Sequence, residues 1–182
     1  AAAAAGVVFG VIIGTGTGGG LVVNGRPLAG PNGIAGEWGH NPLPWPRADE
    51  LPGPQCYCGL HGCIETWLSG PGLQRDHSLS TGAGIEAAEI SRRAEAGEPQ
   101  SRATLARYAN RMARALASVI NITDPDVIVL GGGVSNIQRI YTDVPALWTD
   151  YVFSDHVDTR LVPATHGDSS GVRGAAWLWP PD

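Results

Sequence analysis

Residues 36–65 constrain this chain most, because they contain all of its cysteines. Cys56, Cys58 and Cys63 are the only three cysteines among 182 residues, and they fall within eight positions. His40 lies a loop's length upstream and completes a set of four residues of metal-ligand type. Structural zinc is held by thiolate sulfur and imidazole nitrogen in a closed tetrahedron, and the glycines between the cysteines permit a tight ligand loop. The pattern therefore predicts a zinc knuckle formed by these four residues.

Two other arrangements compete with this prediction. A disulfide would leave one of the three cysteines unpaired, and a secreted scaffold of this size would need more bridges. His61 is a possible substitute ligand, but it sits between two cysteines, where a short loop favours a side chain that turns outward. His40 is therefore the preferred fourth ligand.

The composition excludes several classes of protein. A net charge of −5 argues against a nucleic-acid partner, which would require a basic face. No apolar run approaches membrane-spanning length, and the first residues lack the basic side chains of a signal peptide. All basic residues are arginine, which excludes a Walker-type phosphate loop and Schiff-base chemistry. We expect a soluble cytoplasmic protein without a membrane or nucleic-acid partner.

A glycine-rich segment joins two strand-like runs near the start of the chain. Residues 7–13 form a continuous β-branched run, which is typical of a strand buried on both faces. A dinucleotide fingerprint would need a helix after the glycines, but residues 21–23 predict a second strand instead. Backbone amides can converge on an anion in such a turn, although an ordinary hairpin remains the alternative. The predicted phosphate-binding residues are Gly14, Thr15, Gly16, Thr17 and Gly18.

A second buried strand, residues 126–130, also ends in glycines. Gly131, Gly132 and Gly133 follow it, and Ser135 or Asn136 is the predicted cap of the next helix. A strand, a glycine turn and a helix suit a nucleotide at the carboxyl end of a sheet, with a plain turn as the alternative.

Helical periodicity predicts four further elements. Helices are expected over residues 64–68, 85–96 and 171–179, the last with Asp168 or Ser169 as its cap, and the longest runs from about Pro99 to Thr123. Residues 161–162 suggest another strand. The longest helix has one apolar stripe at three-four spacing, which predicts core positions and not cofactor contacts: Leu105, Tyr108, Ala109, Met112, Leu116, Val119 and Ile120.

Together these motifs resemble the ROK family, named for repressors, open reading frames and kinases. The matching segments are Gly14-Thr-Gly-Thr-Gly-Gly-Gly20, Gly36-Glu-Trp-Gly-His40, Cys56-x-Cys-x-x-x-x-Cys63-Ile-Glu65, Leu130-Gly-Gly-Gly-Val-Ser135 and His166-Gly-Asp-Ser-Ser-Gly-Val-Arg-Gly-Ala-Ala176. They span nearly the whole chain in the family's order, and the cysteine–histidine pattern is the most specific. The Asn-Pro-Leu-Pro after His40 looks most like fructokinases and mannokinases, whereas the cysteine loop looks equally like N-acetylglucosamine kinase.

The resemblance implies an α/β fold, an actin-like, ribonuclease-H-like ATPase lobe carrying a zinc knuckle, with ATP bound between two lobes. It implies that the first glycine turn faces the ATP phosphates, that the second faces adenosine, and that Glu37, His40 and Glu65 hold the sugar. Carboxylates discriminate well among sugar hydroxyls, because an unpaired buried carboxylate is costly. His40 would bind zinc through one ring nitrogen and turn the other to the sugar. The implied cofactors are ATP, Mg²⁺ and a structural Zn²⁺, and the implied assembly is a homodimer.

The chain departs from the family pattern in one respect. Such kinases take the proton from the sugar hydroxyl with an aspartate of an Asn-Asp pair ahead of the first strand, and they have an amino-terminal Asp-x-Gly-Gly-Thr loop; neither is present here. We therefore expect residues 1–182 to be the carboxy-terminal lobe of a fructokinase-like sugar kinase, without its amino-terminal lobe and inactive alone. The alternative is the sugar-sensing domain of a ROK repressor, and the alternative substrate is N-acetylglucosamine.

Overall fold

The centre of the fold is a five-stranded sheet with the order β3-β2-β1-β4-β5. The computed structural model describes residues 1–169. β1 runs antiparallel to β2 and parallel to β4, and β4 is parallel to β5. The carboxyl ends of β1 and β4 therefore lie side by side at one edge, where the β1–β2 turn is also found. The strands are β1 (Val7–Ile13), β2 (Thr17–Val23), β3 (Arg26–Pro27), β4 (Val127–Gly131) and β5 (Arg160–Pro163).

Five helices complete this part of the fold. They are α1 (Ile64–Leu68), α2 (Gly70–Thr81), α3 (Ala87–Glu95), α4 (Pro99–Thr123) and α5 (Ile140–Trp148), and there are short 3₁₀ turns at Ala48–Glu50, Gly133–Asn136 and Gly167–Ser169. The predicted stripe of α4 is confirmed, since every one of its seven residues is buried in the core. Within residues 1–169, no helix is both long enough and apolar enough to cross a membrane.

Local sequence signals explain where these helices begin and end. Ser69 caps α2 by accepting a hydrogen bond from the Gly72 amide at 3.2 Å, and Pro71 occupies the first turn. Gly82 ends the same helix in the left-handed region, with φ of 75°. α4 ends at Asp124, which is followed by a proline that cannot continue the helix.

Three predictions about elements need correction or lie outside this description. β2 begins at Thr17, so that the turn after β1 is only residues 14–16 and the later glycines belong to the strand. Ser135 and Asn136 do not cap a helix; they lie in a 3₁₀ turn, and α5 begins later because the chain first makes that turn against β4. The predicted helix over residues 171–179 lies outside the described residues.

The irregular loop of residues 41–55 is fastened to α4 by a buried ion network. Oε1 of Glu50 accepts hydrogen bonds from Nε of Arg111 at 2.8 Å and from Nη2 of Arg114 at 2.7 Å. Arg111 also donates to Asp76 on α2 at 2.7 Å. Only 4% of the Glu50 side chain and 1% of the Arg114 side chain are exposed, so the charges can be tolerated only because they are paired.

The network also fixes the charge state of Glu50. Burial opposes ionisation of this carboxyl, but hydrogen bonds from Arg114, from the Arg47 amide and from Arg111 outweigh burial and lower its pKa to about 2. Glu50 is therefore ionised at neutral pH, and it holds the middle of the loop against the helix.

Candidate functional site

The structure brings His40, Cys56, Cys58 and Cys63 together into one cluster. Their four donor atoms all lie within 4.8 Å of one another. Nδ1 of His40 is 3.4 Å from Sγ of Cys56, and Sγ of Cys58 is 3.6 Å from Sγ of Cys63. A tetrahedron with zinc–sulfur bonds of about 2.3 Å has edges of about 3.8 Å. The cysteines form no disulfide, and the spacing of the donor atoms suits a four-coordinate metal ion.

Tight backbone turns between the cysteines hold this cluster together. The Cys56 amide donates to the Leu60 carbonyl at 2.8 Å, and the Gly59 amide donates back to the Cys56 carbonyl at 3.0 Å. Gly59 and Gly62 have φ of 91° and 71°, which few other residues adopt. His61 is exposed and lies outside the cluster. The preference for His40 over this second histidine is thus consistent with the geometry.

The thiols of the cluster differ in acidity. A backbone hydrogen bond at Leu60 lowers the pKa of Cys58 to about 7, whereas burial and the neighbouring sulfurs raise the pKa of Cys63 to about 12. Three adjacent thiolates would repel one another, so a cation that binds all three must displace protons.

Residues 36–40 are pressed against β2 by contacts that require glycine. A Cβ at Gly39 would overlap the carbonyl oxygen of Thr17, and a Cβ at Gly36 would lie 2.6 Å from Cα of Gly20. Trp38 between them is buried and meets Phe9 edge to face, with 5.7 Å between ring centroids. This packing fixes the backbone that carries Glu37 and His40.

Glu65 connects the cysteine loop to the turn after β1. Its Oε2 accepts a hydrogen bond from the Thr17 amide at 2.9 Å, and its own amide donates to the Gly39 carbonyl at 2.8 Å. The start of α2 also reaches the turn, because the Gly70 amide donates to the Gly14 carbonyl at 2.8 Å. The predicted sugar-binding and phosphate-binding segments are therefore in direct contact.

Tyr57, which was not predicted from the sequence, lies beside the predicted sugar residue His40. Its hydroxyl lies 2.8 Å from Nε2 of His40, and the two rings meet edge to face at 4.9 Å. Desolvation and the nearby negative charges of Glu65 and Glu37 raise the pKa of Tyr57. The only sequence feature that could have indicated a role for Tyr57 is its position between two predicted cysteine ligands.

The second glycine turn lies against the end of β1. Gly132 has φ of 82°, and a Cβ there would overlap the carbonyl oxygen of Ile13. Ile12 pairs with Gly131 across the parallel strands, so both glycine turns occupy the same edge of the sheet. A cavity of about 200 Å³ opens between α3 and this turn, and it is lined in part by Gly133 and Asn136.

Thr15 in the first turn and Thr17 at the start of β2 differ in exposure. Thr15 is exposed, whereas Thr17 is buried and its amide already donates to Glu65. Thr15 is therefore better placed to contact a ligand beyond the turn.

Comparison with known proteins agrees with these motifs. Residues 1–181 match the model of the ROK family. N-acetyl-D-glucosamine kinase of Pectobacterium carotovorum is 42% identical over 176 residues, which cover 94% of this chain and 58% of the relative. The crystal structure of a ROK family glucokinase from Streptomyces griseus, in complex with glucose and AMPPNP, superposes with a TM-score of 0.85 at 26% identity and covers 98% of this chain and 62% of the other.

A solved regulator also shares the fold. A ROK family transcriptional regulator, a homologue of the E. coli MLC protein, superposes with a TM-score of 0.72 at 26% identity, over 87% of this chain and 41% of the other.

The fold is thus the mixed α/β architecture of ROK kinases, which are actin-like ATPases. The chain belongs to the ROK family. It spans about 58% of the length of the N-acetyl-D-glucosamine kinases that it matches.

Proposed function

We propose that this chain supplies the carboxy-terminal lobe of an ATP-dependent hexose kinase. The observation that carries the proposal is the contact between Glu65 and the turn after β1, with the Thr17 amide 2.9 Å from the carboxylate. Phosphoryl transfer relies on holding an acceptor hydroxyl beside the phosphate, so the sugar site and the phosphate site must lie next to each other at the same edge of the sheet. The second glycine turn lies at that same edge, next to β1.

On the sugar side, Glu37, His40 and Glu65 are the proposed ligands. A carboxylate accepts hydrogen bonds from sugar hydroxyls. A sugar that lacks the matching hydroxyl would leave a buried carboxylate unpaired, and its binding is therefore weaker. N-acetyl-D-glucosamine is the first substrate to test, because the kinase that is 42% identical to this chain acts on it. Fructose, which the motif after His40 favours, has no support from that comparison and is the second substrate to test.

On the nucleotide side, the exposed Thr15 and the amides of the first turn would face the phosphates of MgATP, with Gly14, Gly16, Thr17 and Gly18 shaping that turn. Gly131, Gly132 and Gly133 would face adenosine, and the cavity of about 200 Å³ beside α3 suits part of that group. The base that takes the hydroxyl proton is expected in an amino-terminal lobe. The 182-residue chain alone is thus expected to bind ligands without phosphoryl transfer.

One zinc ion is proposed for the four-residue cluster. His40, Cys56, Cys58 and Cys63 would hold it, because their donor atoms already lie within 4.8 Å of one another. All four positions would be filled by protein, which is typical of a structural site that does not activate water. The ion would shape the loop that carries Tyr57 beside the sugar site.

Steady-state kinetics of the full-length kinase test the proposal. Glu65→Ala and Glu37→Ala are expected to raise KM for N-acetylglucosamine and to lower kcat, because both carboxylates would hold the acceptor sugar. Arg26→Ala is the control, since Arg26 is exposed and lies in β3 beside Val23, at the opposite end of β2 from Thr17. Wild-type kinetics in both glutamate variants would contradict the proposal.

The sugar-sensing domain of a repressor is the second candidate, because a ROK transcriptional regulator shares this fold with a TM-score of 0.72. Sugar-dependent retention of DNA by the full-length protein would favour the regulator. Sugar-dependent release of ADP would favour the kinase. The homodimer stays a prediction in either case.

A further inference from the structure

The two carboxylate oxygens of Glu65 have different environments. Oε2 accepts the hydrogen bond from the Thr17 amide at 2.9 Å, whereas Oε1 accepts none from residues 1–169. The side chain is half-buried, so the second oxygen keeps lone pairs for another donor. One carboxylate can thus bond to the turn and to a ligand hydroxyl at the same time.

The turn after β1 has few other restraints. The Gly14 amide donates to the Gly16 carbonyl at 2.9 Å, and the Gly14 carbonyl accepts from the Gly70 amide at 2.8 Å. Both of these bonds are formed by backbone atoms alone. Of the three bonds, the one from Thr17 to Glu65 is the only one that ends on a side chain, and therefore the only one that a ligand on that side chain can alter.

Close packing holds the carboxylate of Glu65 against the backbone of the turn. A Cβ at Gly16 would lie 2.6 Å from Oε2 of Glu65, so a side chain at this position would displace the carboxylate from the turn. The backbone of Glu65 is fixed as well, because its amide donates to the Gly39 carbonyl at 2.8 Å. The remaining freedom of Glu65 is therefore in its side-chain torsions.

We propose that Glu65 is a positioning residue that couples sugar binding to nucleotide binding through the Thr17 amide. The inference rests on the proposed function, since it assigns the sugar to Oε1 and the phosphates to the turn. A sugar hydroxyl on Oε1 fixes the carboxylate, and the fixed carboxylate orders the turn before the nucleotide arrives. The nucleotide then loses less conformational entropy on binding, and the coupling acts equally in the other direction.

Glu37 provides a matched comparison. It is also a proposed sugar ligand, and its charge acts on the same Tyr57 hydroxyl as that of Glu65. However, Glu37 makes no side-chain hydrogen bond to the turn among the described residues. A variant of Glu37 should therefore weaken sugar binding without loosening the turn.

Equilibrium binding of AMPPNP to the full-length protein, with and without saturating N-acetylglucosamine, tests the inference. In the wild type the sugar is expected to tighten AMPPNP binding by about fivefold or more. Glu65→Ala should abolish this ratio and should also weaken AMPPNP binding without sugar, because the turn has lost its side-chain bond. Glu37→Ala should weaken sugar binding, and it should lower sugar-free AMPPNP affinity less than Glu65→Ala does.

The sugar-free measurement keeps the test decisive even if Glu65→Ala can no longer be saturated with sugar. Wild-type AMPPNP affinity in Glu65→Ala, or equal loss of that affinity in both variants, would overturn the coupling. If the wild-type protein binds neither ligand, the proposed function fails, and that result is distinct from ligands that bind without coupling. Circular dichroism of each variant checks that it has folded.

Discussion

Two features hold the irregular loop of residues 41–55, and they differ in the sequence separation of the residues that they join. The cysteine–histidine cluster joins residues that are 5 and 16 positions apart. The ion network joins Glu50 to Arg111 and Arg114, which are 61 and 64 positions away. Both features restrain the same segment, but only the first has a spacing that a local motif can encode.

The two features also differ in what they require. The cluster contains three cysteines whose thiolates would repel one another without a cation between them, so its contribution depends on a bound ion. The ion network needs no added ion, because the buried charges of Glu50 and both arginines are paired with one another. We therefore expect removal of the bound ion to disrupt the cysteine–histidine cluster. Removal of a single charged side chain should disrupt the ion network.

The largest expected effect is on the cluster. Cys63→Ser should abolish binding of one zinc ion, because Cys63 is buried and contributes one of the four donor atoms. Structural zinc contributes about 10–16 kcal/mol of binding free energy in small zinc-finger domains. Metal analysis after gel filtration measures the zinc content, and hydrogen exchange of residues 36–65 measures the loss of order.

His61→Ala is the control for that variant, because His61 is exposed and lies outside the cluster. It should retain the metal. Wild-type protein purified without chelators and found free of zinc would refute the assignment of the cluster.

The next largest effect is expected in the ion network. Glu50→Gln should destabilise the protein by about 3–5 kcal/mol, because it leaves Arg111 and Arg114 buried without a full countercharge. Urea unfolding measures the change. Glu89→Gln is the control: Glu89 pairs with Arg92 and Arg93 on the surface of α3, and its loss should destabilise the protein far less than the loss of Glu50, because water screens exposed ion pairs. Equal losses in the two variants would show that burial of the network is unimportant.

The pH dependence of stability isolates the same carboxylate. The pKa of Glu50 is lowered from 4.5 to about 2 in the folded protein, so its contribution is complete above about pH 4.5. That contribution, on the order of 3 kcal/mol, should be lost as the pH falls from 4.5 through 2. The measurement is the difference in unfolding free energy between wild type and Glu50→Gln across this pH range. Both proteins contain the same metal cluster, so its pH dependence cancels in the difference. A difference that does not change with pH would contradict the lowered pKa.

The smallest effect is expected at the boundary of the cluster. Tyr57→Phe removes the hydroxyl that lies 2.8 Å from Nε2 of His40 but keeps the ring contact. Tyr57 is 84% exposed, so water can replace this hydrogen bond and the change in unfolding free energy should be close to zero. The zinc content should be unchanged. Loss of zinc from this variant would show that Tyr57 is needed to orient His40.

Much of the fold follows from patterns within a few turns of chain. The bounds of α4 and the core stripe on it were predicted from periodicity, and both are confirmed. The strand before the first glycine turn is present, but the prediction that it is buried on both faces is wrong, because burial alternates along it and Ile12 is 44% exposed. The four cluster residues were predicted from ligand type and spacing, and the structure brings them together. Where the pattern was ambiguous, the prediction erred: β2 starts at Thr17, because glycines carry no side-chain periodicity that would distinguish a turn from a strand.

The long-range contacts could not be predicted in the same way. The spacing of cysteines, glycines and apolar residues encodes local geometry, because chain connectivity already holds such residues close together. Nothing in the spacing of Glu50 indicates two arginines on α4, and nothing in the turn after β1 indicates that Thr17 donates to Glu65 across 48 positions. The packing of α1, α2 and α4 in the folded protein brings those partners together, and their sequence separation does not reveal it.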